Sequence, residues 1–123
     1  MSMIDTPLAA QLGRFLDLSA YRESLIGSNL ANIDTPGYRA RDINFQGELE
    51  RATADDAQMQ YASFTPLARP VRGLLERPDG NNVSLERETL LLADTQLRFN
   101  IGVQVLRSEF HRLSSAIHEG AAS

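Results

Sequence analysis

The 123-residue sequence contains no cysteine, no tryptophan and no lysine. Without cysteine there is no disulfide, no thiolate nucleophile and no cysteine-based zinc site, and the chain suits reducing and oxidising surroundings alike. Without lysine, all 12 basic residues are arginines, and 16 acidic residues outweigh them to a net charge of −4. A nucleic-acid binder usually shows the opposite, a basic excess. Long apolar runs are missing too. No segment approaches the ~20 residues of a membrane span. The opening stretch MSMIDTPLAAQLGRFLDL has no basic n-region and no continuous apolar core, so it does not read as a Sec signal peptide. The expectation is a chain that is soluble when made and that needs another export route if it leaves the cytoplasm.

Catalytic patterns are equally sparse. Gly73 and Gly80 sit among prolines, and no glycine-rich loop opens a helix with P-loop spacing. No serine stands in a nucleophile elbow. His111 and His118 are seven apart, whereas metal pairs on one helix usually stand three or four apart, so solvated or interface histidines are expected. Asp55 and Asp56 read as a solvated run, and Asp94 and Glu109 as members of surface ion pairs. Arg39 and Arg41 beside Tyr38 have the chemistry to touch phosphate, but the acidic total favours protein contacts. The reading is a chain with no catalytic residues, no cofactor and no metal.

What is present is helical periodicity at both ends. Over residues 6–33, Leu8, Leu12, Phe15, Ile26, Leu30 and Ile33 recur at three- and four-residue steps, interrupted by Ser19, Arg22 and Asn29. Thr6 or Asp5 is the candidate cap, and Pro7 suits a first turn. Leu16, Leu18, Tyr21 and Leu25 widen the apolar surface beyond one face, which calls for more than one neighbour. A stripe of small residues, Ala20, Ser24, Gly27 and Ala31, has two readings: a closely passing helix, or a weak spot near a frayed end. Residues 84–118 give the longer pattern. Leu85, Leu92, Phe99, Val103, Leu106, Phe110, Leu113 and Ile117 form a heptad-like seam. Leu90, Leu97 and Ile101 lie to one side of it. Ser84 is the expected cap, Glu86 and Glu88 favour the positive helix start, and Gly120 follows where the pattern stops.

Residues 34–83 differ, holding four of the five prolines. A short helix around Asn44–Ala54, short strands near Tyr61–Phe64 and Val71–Leu75, and a turn at PDGNN are the elements open to this middle segment. The sum is one mainly α domain over residues 1–123. Its long N- and C-terminal helices pair as an antiparallel coiled-coil-like hairpin around an irregular middle. Such a hairpin leaves apolar side stripes uncovered, and uncovered patches usually mark partner surfaces.

The stretch SNLANIDTPGYRARDINF joins the first helix to the middle. Pro36 disfavours helix at Thr35, and Pro36-Gly37 supplies the φ values of a type II turn. Asn29 and Asn32 share one side of the last helical turn. This string resembles the N-terminal signature of the bacterial flagellar axial proteins, the rod and hook family, at Asn29, Leu30, Ala31, Asn32, Thr35, Pro36, Gly37, Tyr38 and Arg39. Its continuation through Ala40, Arg41, Asp42 and Phe45 is similar to the proximal rod members in particular. So are Asp79-Gly80-Asn81-Asn82-Val83 and Gln96-Leu97-Arg98-Phe99, with Ser84 standing where an acidic residue is expected.

The resemblance implies a structural subunit of the proximal rod. It would be exported by the flagellar type III apparatus and polymerise into the tube that crosses the periplasm, transmits torque and encloses the export channel. Implied partners are other copies, FlgC and distal rod subunits, the adaptor FliE, the export gate and the membrane ring, with no nucleic acid and no small-molecule substrate. The motif residues and the seam are the implied subunit contacts. The alternatives are another rod subunit such as FlgC, or a cytoplasmic helical adaptor or export chaperone.

Overall fold

A computed structural model describes residues 7–54 and 65–122. Its elements in chain order are α1 (Pro7–Ala31), β1 (Arg41–Asp42), α2 (Phe45–Ala54), β2 (Arg69–Pro70) and α3 (Leu85–Ala122). The 25 residues of α1 and the 38 of α3 correspond to rods of about 37 and 57 Å. They run antiparallel: Asn29, late in α1, bonds Glu88, early in α3, while Phe15 and Leu16 lie against Gly102. From that register the last three turns of α3 continue past the start of α1.

Local chemistry places the helix ends. Pro7 opens α1 as expected, and the expected caps Asp5 and Thr6 lie outside the described residues. The α1 stop comes at Ala31, two residues short of the expected Ile33, because Asn32 begins a run of turns toward Pro36. The Ser84 hydroxyl caps α3 by accepting the Arg87 N–H at 3.2 Å, satisfying a donor the first turn cannot. Asn44 does the same for α2, accepting from Gly47 N at 3.1 Å. Gly120 does not end α3, which continues to Ala122.

The core lies where α2 folds back onto α1. Leu18, Ile43 and Phe45 are buried there, with Phe15, Tyr21, Leu25, Leu49 and Ala68 packed around them. Phe15 and Phe45 meet edge to face at 5.4 Å and 81°, a favoured aromatic geometry. Arg98 of α3 stacks 5.7 Å over the same Phe45 ring, so one side chain ties all three helices.

The strand expected at Val71–Leu75 is instead β2 at Arg69–Pro70, which pairs antiparallel with β1 as Arg41↔Pro70 and Asp42↔Arg69. Val71 N still bonds Ala40 O at 2.9 Å. The ladder then stops because Gly73, at φ 80°, turns the chain away from extended geometry. The other expected strand, Tyr61–Phe64, lies outside the described residues.

Among the described residues no helix is long and apolar enough to cross a membrane.

Candidate functional site

The two sequence motifs, about 45 residues apart, form one polar clasp at the closed end of the hairpin. Thr35-Pro36-Gly37-Tyr38 makes a turn closed by Tyr38 N to Thr35 O at 3.2 Å. Gly37, at φ 75°, takes the left-handed conformation a type II turn demands. Opposite it, Arg77-Pro78-Asp79-Gly80 closes through Gly80 N to Arg77 O at 2.9 Å, with Gly80 at φ 86°. The turns touch. Gly37 N donates to Asp79 O at 2.9 Å, and a Cβ on Gly80 would meet the Gly37 Cα at 3.3 Å. Gly80 is therefore required twice, for φ and for approach, whereas Gly37 is required for φ alone, since a Cβ on it would meet nothing within 4 Å.

Asparagines stitch the turns together. Asn81, fully buried, donates to Asn32 O at 2.9 Å and Thr35 O at 2.8 Å, and its own Oδ1 accepts from Val83 N at 2.8 Å. Asn82 Oδ1 accepts from Ala40 N at 2.7 Å. Arg77 donates to the carbonyl of Ile33. Asn29 uses its full bonding capacity. Its amide donates to Arg41 O at 2.9 Å and Glu88 Oε1 at 3.1 Å, and its oxygen accepts from Tyr38 Oη and Arg41 N, both at 3.1 Å. An amide side chain is the group with two donors and two acceptor sites, so no isosteric substitute preserves all four bonds.

An ionic chain extends the clasp between the helices. Arg22 of α1 grips Asp42 of β1 with two bonds, at 3.0 and 2.9 Å. Arg87 of α3 reaches the same carboxylate at 2.7 Å and Glu88 at 2.9 Å. Burial alone would raise the Asp42 pKa. The Arg22 fork, the Ile43 N–H and Arg87 outweigh burial and hold it below the ordinary 3.8. Glu88 is fully buried, and its Oε2 has no hydrogen-bond partner among the described residues.

The motif residues thus gather at one place. Asn29, Asn32, Thr35, Gly37, Tyr38 and Arg39 bond within the chain, Arg39 to Gly80 O and Glu76. Leu30 is half-buried, and Ala31 and Pro36 are exposed.

The seam residues divide. Leu92, Phe99, Val103, Leu106 and Leu113 are half-buried, whereas Leu85, Phe110 and Ile117 are exposed. The most deeply covered α3 positions are Glu88, Thr95 and Gly102, again seven apart. On α1 the buried set includes Ser19 and Asn29, the very residues that interrupt its apolar stripe. The hairpin interface is therefore polar and small at its centre. Larger apolar side chains are left outside, among them Leu90, Leu97, Ile101 and Val105. The small-residue stripe also faces outward, with nothing within 4 Å of a Cβ on Gly27.

Sequence reasoning missed the Glu88, Asp42 and Arg87 partnerships. Of the three, only Glu88 carried a sequence signal, an acidic residue at a helix start, which the helix dipole explains equally well. Among the described residues no group of three or more potential metal ligands occurs.

No protein-family model matches the sequence. Curated relatives do. The chain is 30% identical to the flagellar basal body rod protein FlgB of Salmonella typhimurium, with 85% of this chain and 88% of the relative covered. Identity to the protein of the same name from Yersinia enterocolitica is 31%, covering 85% and 89%. For that of Cereibacter sphaeroides it is 34%, covering 83% and 87%. The chain belongs to the flagellar basal body rod protein FlgB family.

Proposed function

We propose that this rod subunit occupies the proximal end of the rod and polymerises there into the helical tube that crosses the periplasm, transmits torque and encloses the export channel. The chain is a structural, non-enzymatic component of the flagellar basal body rod. The observation that carries the finer reading is the contrast between the clasp and the outer flank of α3. The clasp is densely bonded within the chain, while Leu85, Leu90, Leu97, Ile101, Phe110 and Ile117 stay exposed along α3. Large exposed apolar surface on a rigid helix suits burial by neighbours. A tube under torque needs stiff lateral contacts, and long helices packed along an axis supply them.

In this reading the motif residues from Asn29 to Arg39 fix the angle at which α1 meets the rest of the subunit, and the exposed edges at Ala31 and Pro36 face neighbours. The seam and its flanking stripe meet other copies, FlgC and distal rod subunits. The adaptor FliE, the export gate and the membrane ring lie on the membrane side. Export runs through the flagellar type III apparatus.

The test is a clean deletion, scored by electron microscopy of isolated basal bodies. The expected result is loss of rod and hook with the membrane ring retained, reversed by complementation. Complete basal bodies and normal swimming in the deletion strain would remove the proposal.

A further inference from the structure

A second feature lies beyond the hairpin seam. The first three turns of α3 carry an open, shallow groove of about 510 Å3, lined by Leu90 and Leu91 together with Glu86 and Asp94. Arg87 also borders it, but its guanidinium is turned to Asp42 and Glu88. Asp94 is shared with Arg98 in an exposed pair at 2.9 Å. Glu86 has no ion pair among the described residues. The groove thus presents two leucines alongside two carboxylates.

The chain also carries a projection of the opposite character. Gly73, at φ 80°, turns the segment after β2 outward. Leu75 is consequently 90% exposed, the most exposed large apolar side chain among the described residues. Arg72 beside it is exposed and makes no ion pair or side-chain hydrogen bond among the described residues. Arg41 and Arg69 lie in the β1–β2 pair, and Arg39 is paired with Glu76, the residue after Leu75, so Arg72 is a cation of this corner that makes no ion pair among the described residues.

We infer that the Arg72–Leu75 projection of one copy docks into the α3 groove of a second copy, with Leu75 on Leu90 and Leu91 and Arg72 between Glu86 and Asp94. The inference rests on the reading of the chain as a polymerising rod subunit and names one of its contacts. The occupant is a second copy because the two surfaces complement each other in both charge and polarity, an apolar knob with a cation against two leucines with two carboxylates. Within one chain Leu75 is not in the groove, whose lining does not include it. A contact between two different patches of the same chain is heterologous and propagates from copy to copy, closing into a ring or extending as a helix.

The absence of native cysteine makes the test direct. A chain with both Leu75→Cys and Leu90→Cys, expressed in place of the natural one, is oxidised in isolated basal bodies and run on a non-reducing gel. The expected result is a ladder of dimers and higher species, lost when Arg72→Glu is added and restored when Glu86→Arg accompanies it. Chains carrying either cysteine alone should stay monomeric. A chain present in basal bodies but only as monomer would overturn this contact and leave the rod assignment standing. A chain absent from basal bodies of swimming cells would overturn both. As an independent readout, a photo-crosslinking residue at position 90 should join residues 72–76 of another copy. Attachment to a different protein would overturn the inference.

Discussion

Asn29 and Asp42 show how single side chains organise the fold. Removing either leaves several buried groups without partners, which costs more than the lost bond itself. For Asp42 the consequence is readable as a pH effect. Its folded pKa is lowered, so its contribution is fully present above the unfolded value near 3.8 and is lost as pH falls below it toward the folded value. We predict that the stability gap between the natural chain and Asp42→Asn, measured by urea unfolding, is largest at pH 6 and shrinks at pH 3. A gap that is constant across this range would mean that the Arg22–Asp42–Arg87 chain does not depend on the carboxylate charge. These partnerships were not legible in the sequence. Arg22 and Asp42 are 20 residues apart and Asp42 and Arg87 are 45 apart, and no local pattern encodes a pairing at such distances.

At the scale of elements, Gly27 of α1 and Gly102 of α3 have opposite roles. Gly27 faces open space, so a methyl there gains helix propensity without a clash. A Cβ on Gly102 would stand 2.9 Å from Leu16 Cδ2 and 3.1 Å from the Phe15 ring, so larger residues force α1 and α3 apart. Thermal unfolding of the free chain should show Gly27→Ala stabilising by about 1 kcal/mol and Gly102→Val destabilising by about 2 kcal/mol. Equal effects at the two sites would contradict the α1–α3 register. Both long helices and α2 were legible because apolar spacing, Pro7, Ser84 and Asn44 mark them locally. The face that α3 turns to α1 was not. The heptad of large apolar residues is the more conspicuous pattern, yet Glu88, Thr95 and Gly102 are the residues most deeply covered. The reason is geometric: small side chains permit close helix approach, and Asn29 supplies the partner that lets Glu88 be buried. The turns at Pro36-Gly37 and Pro78-Asp79-Gly80 were each readable from dihedral preference. That they interlock was not, since neither turn carries a sign of the other. A two-residue strand such as β2 has no period to detect.

For the whole molecule, the same chain combines a closed end and an open flank. The clasp satisfies its asparagine and backbone polar groups internally, which fixes the hairpin before any partner arrives. The α3 flank leaves Leu90, Leu97 and Ile101 at 66%, 59% and 51% exposure, surface that association would remove from water at a gain of roughly 25 cal/mol per Å2. A subunit built this way is ordered enough to present a surface and incomplete enough to need neighbours. Assembly through α3 therefore requires that flank to be covered in the rod. The most direct measurement is the thiol reactivity of Leu97→Cys, in a chain with no other cysteine, compared between the purified protein and isolated basal bodies. The account predicts fast maleimide labelling of the free chain and strong protection in the basal body. Equal labelling in both would contradict it, leaving the apolar flank of α3 without a structural role in assembly.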